Sequence, residues 1–92
     1  MGSPRKYKVV ISDKAKKQLH KLDRQKFNVI TAWIKKNLVD CENPRNKGKG
    51  LVGNHRREWR YRVGDYRIIA DIDDNTITIL IVGIGHRREI YD

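Results

Sequence analysis

The chain has 92 residues, with 21 Lys and Arg against 11 Asp and Glu, a formal net charge of +10 and an isoelectric point near 10.1. This length predicts one domain with a modest core over residues 1–92, in which residues 1–4 carry no weight because they need not belong to the natural chain. The single cysteine excludes an internal disulfide framework, and no apolar run is long enough to span a bilayer. Together with the lack of a secretory signal, these features predict a cytoplasmic protein.

The basic excess favours polyanionic partners, with nucleic acid first, an acidic protein second and an anionic membrane third. No basic amphipathic segment carries the large apolar anchors that membrane binding needs, so we expect no membrane partner. A basic surface that only keeps the protein soluble is the alternative, but the charges are unevenly spread along the chain.

The first part of the chain predicts one strand and two helices. KYKVVI, residues 6–11, has a hydrophobic residue at every second position, as a strand does. Ser12 is a helix N-cap residue before DKAKKQLHKL, residues 13–22, and Asp23 is another before RQKFNVITAWIKKNL, residues 24–38. A tight turn near Asp23 would make the two helices antiparallel neighbours.

Three strands are predicted in the second half, after an irregular and basic loop over residues 39–58. WRYRV, residues 59–63, and YRIIADI, residues 66–72, alternate with period two around a hairpin turn at Gly64-Asp65. A second turn around Asp74-Asn75 leads into the last strand, TITILIVGIG. The predicted fold is α+β with the order β-α-α-β-β-β. Two N-terminal antiparallel helices would pack on a mainly antiparallel four-stranded sheet.

The first hairpin predicts a strand register. A turn at Gly64-Asp65 sets Arg62 opposite Arg67, and Arg60 opposite Ile69, on the face away from the core. Like charges in direct opposition destabilise a sheet by up to about 1 kcal/mol, so selection for folding alone would avoid this pair. An anion bound between the two arginines would convert the repulsion into binding.

A two-residue turn in the second hairpin would pair Ala70 with Ile79, Ile69 with Leu80 and Arg67 with Val82. The face away from the core would then be a basic stripe beside apolar side chains, suited to phosphates with bases or a partner helix over the apolar part. The segment that begins with His86 would follow the strand next to Arg67.

Metal chemistry is not expected, because the three histidines are far apart in sequence and no paired cysteines or carboxylate cluster accompany them. No glycine-rich nucleotide loop is present either, so we expect no cofactor. RNA cleavage by its own 2′-OH is one reaction that needs neither. It requires a base for the 2′ proton, cations for the phosphorane and an acid for the departing 5′ oxygen. Arg, Lys, His and Tyr supply all three functions.

The run LVGNHRREWRYRVGDYRIIADIDDNTITILIVGIGHRREIYD resembles the C-terminal half of RelE-type toxins of the RelE/ParE superfamily, most specifically in WRYRVGDYRI and VGIGHRREIYD. The order of helices and strands agrees over nearly the whole chain. The resemblance implies the toxin of a type II toxin–antitoxin system, which cleaves mRNA in the ribosomal A site without a metal and inhibits translation. It also implies an acidic, RelB-like antitoxin as partner, and binding to operator DNA only as a complex with that antitoxin.

The resemblance assigns catalytic roles to five residues. Arg67 matches the central-strand arginine that holds the scissile phosphate. Arg87 matches the arginine after the last strand, which stabilises the transition state or acts as acid. Tyr91 matches the C-terminal tyrosine, which stacks on a base or orients the 2′-OH. Arg60 and His86 stand where some members place a basic residue and a histidine or lysine, respectively.

RNA contacts are predicted for five more residues: Arg62, Lys47, Lys49, Arg56 and Arg88. Glu58 departs from the family pattern, because the best-known members carry a second lysine there. It serves either as a base or in an ion pair with Arg56 or Arg67, and Lys47 and Lys49 replace the missing positive charge. The short spacing to Tyr91 leaves Arg87 and Arg88 as alternatives for one role, and the general base stays unassigned.

Two other functions fit the same sequence. A ParE-like toxin of this fold would poison DNA gyrase and cut no RNA. A non-catalytic nucleic-acid-binding module would use the same basic stripe without any reaction.

Overall fold

The computed structural model describes residues 6–50 and 58–86. These residues form an α+β domain whose helices and strands are β1 (Lys8–Ile11), α1 (Asp13–His20), α2 (Arg24–Asn37), β2 (Lys49–Gly50), β3 (Glu58–Val63), β4 (Tyr66–Asp73) and β5 (Thr78–His86). Neither helix is long and apolar enough to cross a membrane, within this described part of the chain.

Both predicted helix starts are confirmed by their capping hydrogen bonds. The Ser12 hydroxyl accepts from the backbone N–H of Ala15 at 3.1 Å, and the Asp23 carboxylate accepts from that of Lys26 at 2.8 Å. Each cap satisfies an amide that has no partner inside its helix, which stabilises the helix by about 1 kcal/mol.

The strand order across the sheet is β1-β5-β4-β3-β2. β1 runs parallel to β5, and the other neighbours are antiparallel, which confirms the mainly antiparallel prediction. The first and last strands in the sequence are therefore neighbours, and β4 lies at the centre of the sheet. The described residues contain five strands, whereas four were predicted, because β2 lies within the segment predicted as loop.

The core lies between the helices and one face of the sheet. Its buried residues are Tyr7, Ala15, Leu19, Ile30, Ile34, Leu38, Tyr61, Val63, Ile68, Ala70, Ile72, Ile79, Ile81 and Ile84. They follow the predicted spacing of 3.6 residues in the helices and of two in β3, β4 and the first half of β5. Burying each large aliphatic side chain contributes about 1.5–3 kcal/mol to folding.

The predicted irregular loop over residues 39–58 is wrong at Lys49–Gly50 and at Glu58. Lys49 and Gly50 pair with β3, where Lys49 lies opposite Arg60, and Glu58 already belongs to β3. Gly48 precedes β2 with a φ of +83°, and a Cβ there would overlap the Arg60 carbonyl oxygen. Only glycine combines this backbone conformation with so close an approach. The two residues of β2 are too few to show the alternation by which a strand is predicted from sequence.

Hydrogen bonds anchor the segment before β2 to the far end of the sheet. Both terminal nitrogens of Arg45 donate to the Asp74 carboxylate at 3.0 Å, and the Tyr7 hydroxyl donates to the same carboxylate at 2.6 Å. The Tyr61 hydroxyl donates to the carbonyl oxygen of Pro44. This loop anchor, formed by Arg45 and Asp74, gives an irregular segment a fixed place.

The first hairpin has the predicted register. Val63 pairs with Tyr66 and Arg62 with Arg67, around a turn in which Gly64 has a φ of +61°. A positive φ at the first of two turn residues is what a type II′ hairpin requires, and glycine adopts it without steric cost.

The second hairpin differs from the prediction, because its loop is longer. Asp73 pairs with Thr78, so residues 74–77 form a four-residue loop rather than a two-residue turn. Ala70 consequently lies opposite Ile81, two residues further along β5 than predicted.

A bulge in β5 adds one more residue of displacement. Val82 is the inserted residue, and beyond it Ile69 lies opposite Gly83 and Arg67 opposite Gly85. Both pairings are three residues further along β5 than predicted. In this register Arg67 lies opposite Gly85, the residue before the last one of β5.

Candidate functional site

The helices cover one face of the sheet in the described part of the chain, and the other face is called the open face below. Along β4, Ile68, Ala70 and Ile72 are buried against the helices, so Arg67 and Ile69 belong to the open face. Directly paired residues share a face, and the register gives the open face across β2 to β5 as Lys49, Glu58, Arg60, Arg62, Arg67, Ile69, Asp71, Asp73, Thr78, Leu80, Gly83 and Gly85.

Two arginines meet in the row nearest the first hairpin turn. Arg62 lies directly opposite Arg67, which places their Cβ atoms about 4.5–5.5 Å apart. Arg62 is exposed, whereas Arg67 is half-buried and its Nε is shielded from solvent. On the other side of Arg67 lies Gly85, which adds neither charge nor bulk. The juxtaposition predicted from the first hairpin is therefore present.

The next row adds two more cations. Arg60 lies between Ile69 on β4 and Lys49 on β2, so Lys49 joins the open face through a strand that was not predicted. These four cations, Arg60, Arg62, Arg67 and Lys49, form the basic end of the open face. Guanidinium groups bind phosphate oxygens with two parallel hydrogen bonds, and Ile69 supplies an apolar surface beside them.

The opposite end of the open face is acidic. Glu58 lies directly opposite Asp71, and Asp73 follows on the same face of β4. Asp71 is four residues from Arg67, or about 13 Å along the strand. The Cα atom of Glu58 is therefore nearer to that of Arg60 than to that of Arg67. The residue-based prediction missed this acidic end, although the first hairpin register already implied the Glu58–Asp71 pair.

His86 lies on the helix side of the sheet. It pairs with Tyr66, and their rings meet edge to face with centroids 5.5 Å apart. The same cleft is lined by Gln18 and Lys21 of α1. His86 is next to the row of Arg67 in register, but the two side chains belong to opposite faces of the sheet, so the structure does not bring these two predicted catalytic residues together.

The remaining predicted site residues divide into two groups. Lys47 is exposed, and its carbonyl oxygen accepts a hydrogen bond from Nε1 of Trp59 at 2.6 Å, which fixes the backbone just before β2. The other predicted residues lie outside the described ranges: Arg56, Arg87, Arg88 and Tyr91. Across residues 6–50 and 58–86, no three His, Cys, Asp or Glu side chains are grouped where they would hold a metal ion.

The family model for the ParE toxin of type II toxin–antitoxin systems, parDE, matches residues 9–91. This chain belongs to the ParE toxin family. It is the toxin of a type II toxin–antitoxin system within the RelE/ParE superfamily. The toxin is 29% identical over 85 residues to toxin RelG of Mycobacterium tuberculosis, which covers 92% of this chain and 95% of RelG.

Solved structures confirm the predicted fold of the toxin. The RelBE2 toxin–antitoxin complex of Mycobacterium tuberculosis matches with a TM-score of 0.80 at 26% identity, covering 97% of this chain and 100% of that chain. The isolated RelE toxin of E. coli matches with a TM-score of 0.71 at 18% identity, covering 87% and 83%. The archaeal RelE–RelB complex of Pyrococcus horikoshii matches with a TM-score of 0.68 at 24% identity, covering 91% and 98%.

Proposed function

We propose that this toxin is a metal-independent endoribonuclease that cleaves mRNA in the ribosomal A site and so inhibits translation in the cytoplasm. The observation that carries the proposal is the basic end of the open face. There Arg62 lies opposite Arg67, with Arg60 and Lys49 in the adjacent row. A folded sheet gains nothing from opposed arginines, whereas a phosphodiester gains strongly from them.

The proposed reaction is attack of the RNA 2′ oxygen on the adjacent phosphorus. The 2′ proton goes to a base, the bond from phosphorus to the 5′ oxygen breaks, and that oxygen takes a proton from an acid. The products are a 2′,3′-cyclic phosphate and a free 5′-OH. Negative charge develops on the phosphorane oxygens, and preorganised cations that stabilise it supply a large part of the rate enhancement.

Arg67 is the proposed contact to the scissile phosphate, because it lies on the central strand and is half-buried, with its Nε shielded from solvent. Arg60 and Lys49 are proposed to hold a neighbouring phosphate. Arg87 and Tyr91 complete the proposed catalytic set, since they follow Gly85, the β5 partner of Arg67, by two and six positions in the sequence.

The proposed RNA contacts include three more basic residues: Lys47, Arg56 and Arg88. Lys47 is exposed before β2, and the other two lie outside the described ranges. His86 stays a catalytic candidate, but its place beside Tyr66 on the helix face supports a direct role less well than the open face supports Arg67. Glu58 stays open between a base and an ion pair, and its register favours Arg60 as partner.

The acidic end of the open face also supports binding of the RNA at the basic end. Glu58, Asp71 and Asp73 would repel a phosphodiester backbone that strayed toward the far end of β4. A polyanion is therefore confined to the basic end and to the strand ends near the first hairpin turn.

The proposed partners are the ribosome, its mRNA and a cognate RelB-like antitoxin. The RelBE2 structure of Mycobacterium tuberculosis is a toxin–antitoxin complex, and it shares 26% identity with this toxin. A net charge of +10 favours an acidic antitoxin, and Ile69, Leu80 and Val82 offer it apolar side chains. Operator DNA would be bound only by the toxin–antitoxin complex.

The test adds purified toxin to translating ribosomes and maps the message ends by primer extension. We expect cuts whose position follows the codon in the A site, persisting in EDTA concentrations that leave ribosomes intact, and none on the same message without ribosomes. A parallel assay measures supercoiling by DNA gyrase. The family model that matches is that of ParE toxins, and gyrase poisoning is the second candidate function. Inhibited supercoiling with intact messages would replace the proposed function by that one.

A further inference from the structure

One hydrogen bond ties α1 to the C-terminal part of β5. Oε1 of Gln18 accepts from the backbone N–H of Ile84 at 2.7 Å, between residues 66 positions apart in the sequence. Gln18 is half-buried on α1, and Ile84 is buried, with 1% of its surface exposed. An amide buried at this depth needs a partner, because an unsatisfied one loses its hydrogen bonds to water without replacement.

The partner is a side chain because a strand is missing at this place. β1 pairs with β5 only as far as Ile11 opposite Ile81, and the Ser12 N–H donates to the Ile81 carbonyl at 2.9 Å. Beyond Ile81, the edge of β5 faces α1. Gln18 therefore accepts the hydrogen bond from the Ile84 N–H that a backbone carbonyl of a longer β1 would accept.

Residues 83–85 of β5 are called the clamped segment, and they need such a contact more than the rest of β5 does. Gly83 and Gly85 flank Ile84, so two of its three residues have no side chain to pack and a wide choice of backbone conformations. The segment also begins directly after the bulge at Val82. Gln18 further lines the cleft that contains His86 and Tyr66, so the clamp adjoins the last residue of β5.

We propose that Gln18 is a positioning residue, which fixes residues 83–86 of β5 against β4 and thereby fixes the strand beside Arg67, whose β5 partner is Gly85. This inference rests on the proposed ribonuclease function for its catalytic consequence, but the clamp itself is independent of that function.

The test replaces Gln18 by Leu, which keeps the size and removes the acceptor, and by Asn, which keeps the amide and shortens its reach. Gln18→Glu restores an acceptor oxygen at the original reach. Gln25→Leu is the matched control, because Gln25 is exposed on α2. Amide hydrogen exchange at Ile84 is measured by NMR on the full chain. We expect it to accelerate about tenfold or more in Gln18→Leu and Gln18→Asn, and to stay at the wild-type rate in Gln18→Glu and Gln25→Leu.

Cleavage on ribosomes is measured for the same variants, with kcat and KM determined separately. We expect kcat to fall about tenfold in Gln18→Leu and Gln18→Asn with KM unchanged, because binding at the basic end does not involve Gln18, and to recover in Gln18→Glu. Unchanged Ile84 exchange in Gln18→Leu and Gln18→Asn would overturn the clamp. Faster exchange with unchanged kcat would overturn the positioning role. A wild-type toxin that cuts no message, with faster exchange in Gln18→Leu, would overturn the ribonuclease proposal and leave the clamp established.

Discussion

Arg45 pairs with an aspartate, whereas Arg67 lies opposite another arginine. Arg45 makes a two-pronged ion pair with Asp74 at 3.0 Å, and this hydrogen-bonded pairing raises the pKa of its guanidinium above the ordinary value. Arg67 lies opposite another arginine on the open face. The first arrangement stabilises the folded chain, whereas the two opposed arginines repel each other, and an anion bound between them would reduce that repulsion.

The difference separates a structural end of the toxin from a functional end. The loop anchor joins the segment before β2 to the loop after β4, at the end of β4 away from Arg67. Substitutions at the structural end should therefore cost folding free energy and leave the chemistry intact. Substitutions at the functional end should do the reverse.

The largest stability effect is expected at Gly48. Gly48→Ala should destabilise the toxin by about 2–4 kcal/mol, because it combines a positive φ with an overlap against the Arg60 carbonyl oxygen. Gly64→Ala is the matched control, since Gly64 also has a positive φ but a Cβ there meets nothing within 4 Å. It should cost about 1 kcal/mol. Urea denaturation of both variants checks the difference, and equal losses would show that packing against β3 is unimportant.

Tyr61 should give the structural end a pH dependence. Burial raises the pKa of its hydroxyl above 10, so the folded state keeps the neutral form. Its contribution to the free energy of unfolding is fully present below pH 10 and is lost as the pH rises above it, because the unfolded state ionises first. Burial also raises the pKa of the Cys41 thiol, so denaturation is followed in a Cys41→Ala background.

In that background, Tyr61→Phe should flatten the decline above pH 10. At neutral pH it should cost about 1–2 kcal/mol, because the buried carbonyl of Pro44 loses its donor. A decline of equal slope in both proteins would show that Tyr61 is not its source.

A smaller loss is expected for the loop anchor. The side chains of Arg45 and Asp74 are 36% and 48% exposed, so solvent screens the pair despite its good geometry. Arg45→Ala should cost about 1 kcal/mol, less at high salt, and should leave message cleavage within about twofold of wild type. A double-mutant cycle with Asp74→Asn isolates the pair. A coupling energy near zero would mean that the anchor does not stabilise the fold.

The smallest effect has the opposite sign. Arg62→Thr should leave the free energy of unfolding unchanged or raise it by up to about 1 kcal/mol, because it removes the repulsion with Arg67 and keeps a good strand residue. The gain should shrink as ionic strength rises. Urea denaturation at low and high salt measures it, and a clear loss of stability would mean that the opposed arginines are not in conflict.

The two hairpins show how far the sequence predicts this fold. Gly64 provides a positive φ in a two-residue turn, so the partners of Arg62 and Tyr61 followed from counting. Residues 74–77 contain no glycine, and Ile77 adopts a φ of 52° that its branched side chain disfavours. Local preference did not predict this conformation, nor the bulge at Val82.

The candidate site, like the fold, was predictable where local sequence patterns determine it and not where distant contacts do. The basic end follows from β3 and β4, whose alternation and turn are explicit in the sequence. Lys49 and Gln18 take their places through contacts with distant residues, in a two-residue strand and in a single side-chain hydrogen bond. Neither contact leaves a periodic pattern. The Glu58–Asp71 pair needed only the first register, so it was available from the sequence.

The most direct measurement compares Arg67→Ala with Arg45→Ala in single-turnover cleavage of an mRNA bound to ribosomes. Removing one cation that stabilises the transition state should slow cleavage about a hundredfold, on the order of 3 kcal/mol. We therefore expect Arg67→Ala to lose about a hundredfold in rate with little change in urea midpoint, and Arg45→Ala to lose stability while cleaving at nearly the wild-type rate. An Arg67→Ala toxin that cleaves as fast as wild type would contradict the assignment of the basic end as the site of the reaction.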